Sequence, residues 1–237
     1  MELIWSGIIR AVRLLLTGDP EVLEITLLSL KVSGSATLVA LLLGIPLGAV
    51  LALIRFRGRG LVISLVNTGM GLPPVVVGLF VTILLWRSSL LGFLGLLYTP
   101  AAMIIAQVVI AFPIVAGLTL AALQSLNPRL RLQLLALGAS SLQVVLLLLR
   151  EARLPLLAAV MAGFGGVISE VGAVLMVGGN IKGHSRVLTT ATVLETRMGN
   201  FETAIALGIL LLLLTFTVNL ILTRIQQQEP LKWTRSS

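Results

Sequence analysis

The sequence predicts an all-α, polytopic membrane protein with about five transmembrane helices, and three observations carry that prediction. Of its 237 residues, 57% are hydrophobic and only 11% charged, where a soluble domain has roughly a quarter of its residues charged. Mean hydropathy is correspondingly high, +1.10. Uncharged runs long enough to cross a bilayer, about 20 residues each, alternate with small groups of arginine. In hydrocarbon every backbone N–H and C=O must find a partner within the protein, and a helix supplies those partners inside one segment.

Residues 1–16 are mostly apolar but contain Arg10 and Arg13. Two cations in so short a run favour a helix in the outer interface over a span. No basic residue precedes the apolar run and no small-residue cleavage pattern follows it, so the segment reads as a retained helix rather than a signal peptide. The first span covers 32–54, between Lys31 and Arg55, and the second covers 61–86, between Arg59 and Arg87. Adjacent Pro73 and Pro74 remove backbone donors and crowd the preceding turn, so the second span is expected to kink or unwind there. The third covers 101–126, ahead of Arg129; the fourth covers 154–177, interrupted only by Glu170; the fifth covers 203–223, between Glu202 and Arg224. Gly44 and Gly48 stand at GxxxG spacing and residues 163–166 read GFGG. Such faces let helices approach closely, or simply reflect how common glycine is in membrane helices.

Five spans place three basic clusters on one side: Arg55, Arg57 and Arg59; Arg129, Arg131, Arg150 and Arg153; Arg224, Lys232 and Arg235. The positive-inside rule makes that side cytoplasmic, with the N-terminus outside and the C-terminus inside. The net charge of +8 is absorbed by this bias, and no soluble basic face remains for nucleic acid. With no cysteine and one histidine there is no disulfide framework, no cysteine-based zinc site and no thiol nucleophile. Paired carboxylates and a Ser-His-acid set are absent, as is the phosphate-cradling GxxxxGK[ST] pattern. The chain therefore reads as a transport component, not an enzyme, binding no metal or cofactor of its own. An ion-coupled secondary transporter would need internal repeats or several titratable groups in the membrane, and neither is visible.

Two stretches stand out from this apolar background. The segment 125–153 is too long for a turn and too rich in helix formers for a linker. It is expected to fold as two short helices: Pro128 opens the first, Gly138 punctuates the junction, and Ser140 or Ser141 caps the second. An extra span over 134–149 is the competing reading. The second stretch, "ISEVGAVLMVGGNIKGHSRVLTTATVLETRMGN", puts a carboxylate, Glu170, inside a span, where it needs a partner. It serves either a gate or a helix contact. Ser169 precedes it, and Gly178, Gly179 and Asn180 supply flexible backbone and neutral donors where the helix leaves the membrane. Lys182, His184, Arg186 and Arg197 follow outside; they either draw an anion or an acidic partner, or pair with Glu195 and Glu202.

A helix-Gly-helix followed by Leu-Pro at the mouth of the next span resembles the coupling loop of ABC importer membrane subunits. The matching residues are Gly138, Ala139 and Ser140, then Leu154 and Pro155; Leu132, Gln133 and Leu134 replace the family's acidic-Ala-Ala head. The resemblance implies that an ATPase subunit docks at 125–153, touching Gly138, Ala139, Ser140, Ser141, Arg150, Arg153 and Pro155. Over nearly its whole length the chain is similar to the tungstate-type branch of the molybdate, tungstate and sulfate importer permeases, through "SLVNTGMGLPPVVVGL", "LGFLGLLYTPAAMIIAQ" and "SEVGAVLMVGGNIKGHSRVLTTA". That implies one type I permease domain over 1–237 in a bacterial inner membrane, in contact with lipid. It further implies a homodimeric pore and two ATPase subunits that use ATP and Mg. It also implies an extracytoplasmic binding protein that selects the anion, and Ser169, Glu170, Gly178, Gly179 and Asn180 are expected to line the pathway or gate.

Overall fold

A computed structural model describes residues 2–227, and Met1, Lys232 and Arg235 lie outside that range. Helix α1, Glu2–Thr17, packs along the last helix through Gly7 and Ala11. A Cβ at Gly7 would lie 2.5 Å from Ile205 Cγ2, so the contact is backbone-close. Gly18 turns the chain at φ +60°, and Asp19 caps α2 by accepting from the Val22 N–H at 3.1 Å.

Helix α2, Pro20–Leu53, is 34 residues long and runs through Pro46 without a break. The boundary expected at Lys31 is thus corrected: the charged residue marks the end of an apolar run, while the helix continues to a Pro at its first turn. Glu21 in that turn suits the positive helix end. Helices α3, Arg59–Met70, and α4, Pro74–Leu85, take the place of the second span and meet at 103° across Pro73. At 1.5 Å per residue each half measures about 18 Å, short of the roughly 30 Å hydrocarbon core. A 3₁₀ turn, Gly92–Leu94, leads to α5, Pro100–Gln124, capped by Thr99.

Two short helices follow, α6, Pro128–Ala136, and α7, Ser141–Glu151. The alternative span over 134–149 fails because the chain turns at Gly138, leaving α7 only 11 residues. The expected fourth span is two helices, α8, Arg153–Ile168, and α9, Gly172–Gly178, bent by 57°. Helix α10, Leu188–Arg197, was not expected; α11, Phe201–Gln227, closes the fold. Among the described residues three helices are long and apolar enough to cross a membrane, and five spans result if each bent pair counts as one.

Helix α5 is the hub, packing on α2, α3, α4, α8 and α9. Its approach to α2 depends on the GxxxG pair. A Cβ on Gly44 would lie 2.8 Å from Val115 Cγ1, and one on Gly48 would lie 2.6 Å from the Ala116 carbonyl oxygen. Gly34, on the same helix, faces open space. Overpacking a close contact costs roughly 1–3 kcal/mol. Gly48→Ala should therefore lower the thermal midpoint in detergent by several degrees, whereas Gly34→Ala should leave it unchanged; equal midpoints would refute the close approach.

Candidate functional site

The break between α8 and α9 falls in the run 154–177 expected as the fourth span, and side chains satisfy several of its backbone groups. Ser169 Oγ donates to Gly165 O at 2.8 Å. The Glu170 N–H gives a tight-turn bond to Val167 O at 3.2 Å, and Gln107 Nε2 on α5 donates to the same oxygen at 2.9 Å. Glu170 Oε1 accepts from the Ala173 N–H at 2.9 Å, and Thr189 Oγ1 donates to Glu170 O at 3.1 Å. Glu170, expected at a gate or a helix contact, stands one residue before the N-cap position Val171, and its carboxylate accepts from the first turn of α9, where backbone N–H groups favour negative charge. This also explains why 154–177 is not one rod.

The break of α8–α9 packs against the break of α3–α4. A Cβ on Gly172 would lie 2.7 Å from Val75 Cγ2, and one on Gly78 would lie 2.7 Å from Ala173 Cα. Two half-helices therefore meet backbone to backbone beside their discontinuities. Ser169 is exposed and Glu170 half-buried there.

Gly178, Gly179 and Asn180 lie at the other end of α9, so the structure does not bring them beside Glu170. They begin a compact turn. Ser185 Oγ donates to Gly178 O and accepts from the Ile181 N–H. Gly179 and Asn180 have φ +70° and +52°, left-handed values that glycine and asparagine tolerate best. A Cβ on Gly179 would lie 2.8 Å from Tyr98 Cδ1, and the Tyr98 N–H donates to Val177 O at 2.8 Å. Two contacts tie the turn to α2. The Leu188 N–H donates to Ser29 Oγ at 2.8 Å, and Glu21 accepts from Lys182 at 2.6 Å and Arg186 at 3.5 Å. The pairing expected from Glu195 and Glu202 is corrected accordingly: Glu21, remote in sequence, holds Lys182 and Arg186, and Glu195 accepts from Asn200. Lys182 and Glu21 are 66% and 44% exposed, so this pair contributes at most about 1 kcal/mol.

The third feature is the elbow between α6 and α7. Asn127 Oδ1 accepts from the Arg129 N–H ahead of Pro128. At the other end Gly138, φ +83°, closes a Schellman turn in which the Ala139 N–H donates to Leu134 O and the Gly138 N–H to Leu135 O. Ser140 then begins α7 in a reciprocal capping box with Gln143, and Ser141 is the first helical residue. Val144 and Leu148 bury against Ala49, Ala122 and Leu123 of α2 and α5. Arg131 Nη1 reaches Leu53 O at 3.2 Å. The opposite face stays open: Leu137, Leu142 and Leu146 are 84%, 68% and 57% exposed, beside a concavity of about 540 Å³ floored by Gly138, Ala139 and Gln143. Arg150, Arg153 and Pro155 are exposed between α7 and the first turn of α8.

Residues 44–228 match the family model described as a binding-protein-dependent transport system inner membrane component. The chain belongs to that family. This permease is 42% identical over 228 residues, 96% of its own length and 100% of the other's, to a tungstate uptake system permease protein of Peptoclostridium acidaminophilum. It is 43% identical over 212 residues to a probable anion ABC transporter permease protein of Haloferax volcanii, covering 87% of this chain and 91% of that one. An inward-facing structure of the MetNI methionine ABC transporter superposes with a TM-score of 0.74 at 21% identity, over 88% of this chain and 96% of that one. The permease thus has the type I ABC importer fold.

Reading the sequence missed Gln107, Thr189, Ser29 and Glu21. A signal existed for Gln107, an amide in an otherwise apolar run; the others look unremarkable until α9 and α10 fold back. If Glu170 is chiefly a cap, Glu170→Ala should destabilise the permease by about 1 kcal/mol. Glu170→Gln, which keeps an accepting oxygen, should cost less. Thermal unfolding in detergent compares them, and equal losses would count against the cap.

Proposed function

We propose that this permease is the membrane-spanning subunit of an ATP-driven importer for a tetrahedral oxoanion, with tungstate ahead of molybdate or sulfate. The observation that carries the reading is the elbow. A helix pair capped at its junction, anchored on α2 and α5 by one face and offering exposed leucines around a concavity on the other, supports docking of a rigid partner. That partner is an ATPase subunit that holds ATP and Mg, and its movements enter the spans through Gly138, Ala139, Ser140, Ser141, Arg150, Arg153 and Pro155. Two permease chains form the pore, two ATPases drive it, and a binding protein outside delivers the anion. Full-length identity of 42% with a tungstate permease supports the choice of anion.

The elbow end is cytoplasmic in this reading, with the N-terminus outside. The arginines support that orientation, because the ends of α2, α6, α8 and α11 that meet there carry the basic clusters. An oxoanion held by fixed arginines would leave slowly, so brief contacts with Ser169, the Gly178–Gly179 backbone and Asn180 suit conduction better. Glu170 and Asn180 shape the gate, and the binding protein selects.

Gly138→Leu is the direct test of the elbow. A left-handed φ costs a residue with a side chain roughly 1–2 kcal/mol, so ATPase association should weaken about ten-fold while membrane insertion persists. Pull-down with unchanged association and uptake would remove the elbow from the interface. In vesicles with a tungstate-selective binding protein, Glu170→Gln and Asn180→Ala should change the uptake rate or basal ATP hydrolysis. The order among tungstate, molybdate and sulfate should stay the same, and a swapped order would show that the permease reads the anion itself.

A further inference from the structure

Gln107 has no role in the family reading above, yet it is a primary amide buried in the core of a membrane protein, 3% exposed on α5. Its Nε2 donates to Val167 O at 2.9 Å, and Oε1 accepts from no described residue. The acceptor matters. In a continuous α-helix, Val167 O would receive the N–H of Val171, four residues on. Val171 instead has φ −118° and ψ −51° at the start of α9, and the Glu170 N–H makes the tighter bond to Val167 O. A carbonyl oxygen has two lone pairs. The N–H groups of Ser169 and Glu170 and the Gln107 amide already share this oxygen, so none remains for Val171.

The other groups that satisfy the break differ in kind. Ser169 and Glu170 belong to it, and Thr189 comes from the segment that returns just after it. Gln107 comes from the hub helix α5, 60 positions away. It alone among these bonds links the break to α5, on which α2, α3, α4, α8 and α9 pack.

We propose that Gln107 is a positioning residue that holds the α8–α9 break open, by occupying one of the carbonyls through which the two helices would otherwise join. The proposal rests on the reading of this break as part of the gate. The geometry sets a measurable consequence: with 16- and 7-residue arms and a 57° bend, straightening lengthens the pair by about 3 Å at 1.5 Å per residue.

The chain has no cysteine, so spin labels on Leu154→Cys and Ile181→Cys, positions 40% and 45% exposed at the two ends, report the span of the pair without background labelling. Spin-label distances would be measured in lipid nanodiscs on the permease assembled with its ATPase, beside thermal midpoint and tungstate uptake. In Gln107→Met, similar in size but without a donor, the distance should lengthen by about 3 Å or gain a long component, and uptake should fall at least several-fold. Gln107→Asn, whose amide stops one methylene short, should move the distance in the same direction by less, and it decides the matter if the Met variant fails to insert. A lowered midpoint with an unchanged distance distribution would overturn the proposal, since it would reduce Gln107 to a packing residue. If wild-type complex takes up none of tungstate, molybdate and sulfate, the proposed function falls while the distance comparison still decides the role of Gln107.

Discussion

The interaction on which the structure depends is the backbone hydrogen bond in a medium that offers no substitute for it. Hydrocarbon contains neither donor nor acceptor, so a helix can be interrupted only where the protein supplies the missing partners. This permease has two bent helix pairs where spans were expected and handles the two breaks differently. At Pro73–Pro74 the sequence removes the donors outright, because proline has no N–H. At 169–171 no proline is present, and side chains supply several of the missing partners: the Ser169 hydroxyl, the Glu170 carboxylate, the Gln107 amide and the Thr189 hydroxyl.

The two solutions have different mechanical properties. A proline break is fixed by covalent structure and cannot heal. A break held by side chains is a balance between alternative bonds of similar strength, and each bond is worth only about 1 kcal/mol net. Its closeness to the fixed break, through Gly78 and Gly172, places an adjustable element against a rigid one. The same contrast recurs at the two ends of α9: Glu170 with its backbone partners lies in the span, whereas Lys182 and Glu21 meet at an exposed site where solvent weakens their attraction.

How legible each part was in the sequence follows the range of the interactions that build it. The elbow was readable because its determinants lie within a few residues: Asn127 before Pro128, a glycine where the chain turns left-handed, and Ser140 three residues before Gln143. The proline break was readable for the same reason. The extent of α2 was not, since hydropathy marks the lipid-facing part of a helix while its end is set by Asp19 and Pro20. The α8–α9 break and the ties of the 178–187 turn were least visible, because Gln107, Thr189, Ser29 and Glu21 act from 19 to 165 positions away.

Helix α2 joins these regions in one further way. Thirty-four residues at 1.5 Å each make a rod of about 50 Å. Its first turn holds Lys182 and Arg186 through Glu21, while the carbonyls of Leu51 and Leu53 at its far end receive Arg59 and Arg131. Pro46 does not divide it, and no loop intervenes. The permease therefore has a push-rod alongside its hinges: a tilt imposed where α6 grips one end swings the other through an arc set by the full length of the helix, whereas the broken spans beside it absorb displacement by bending.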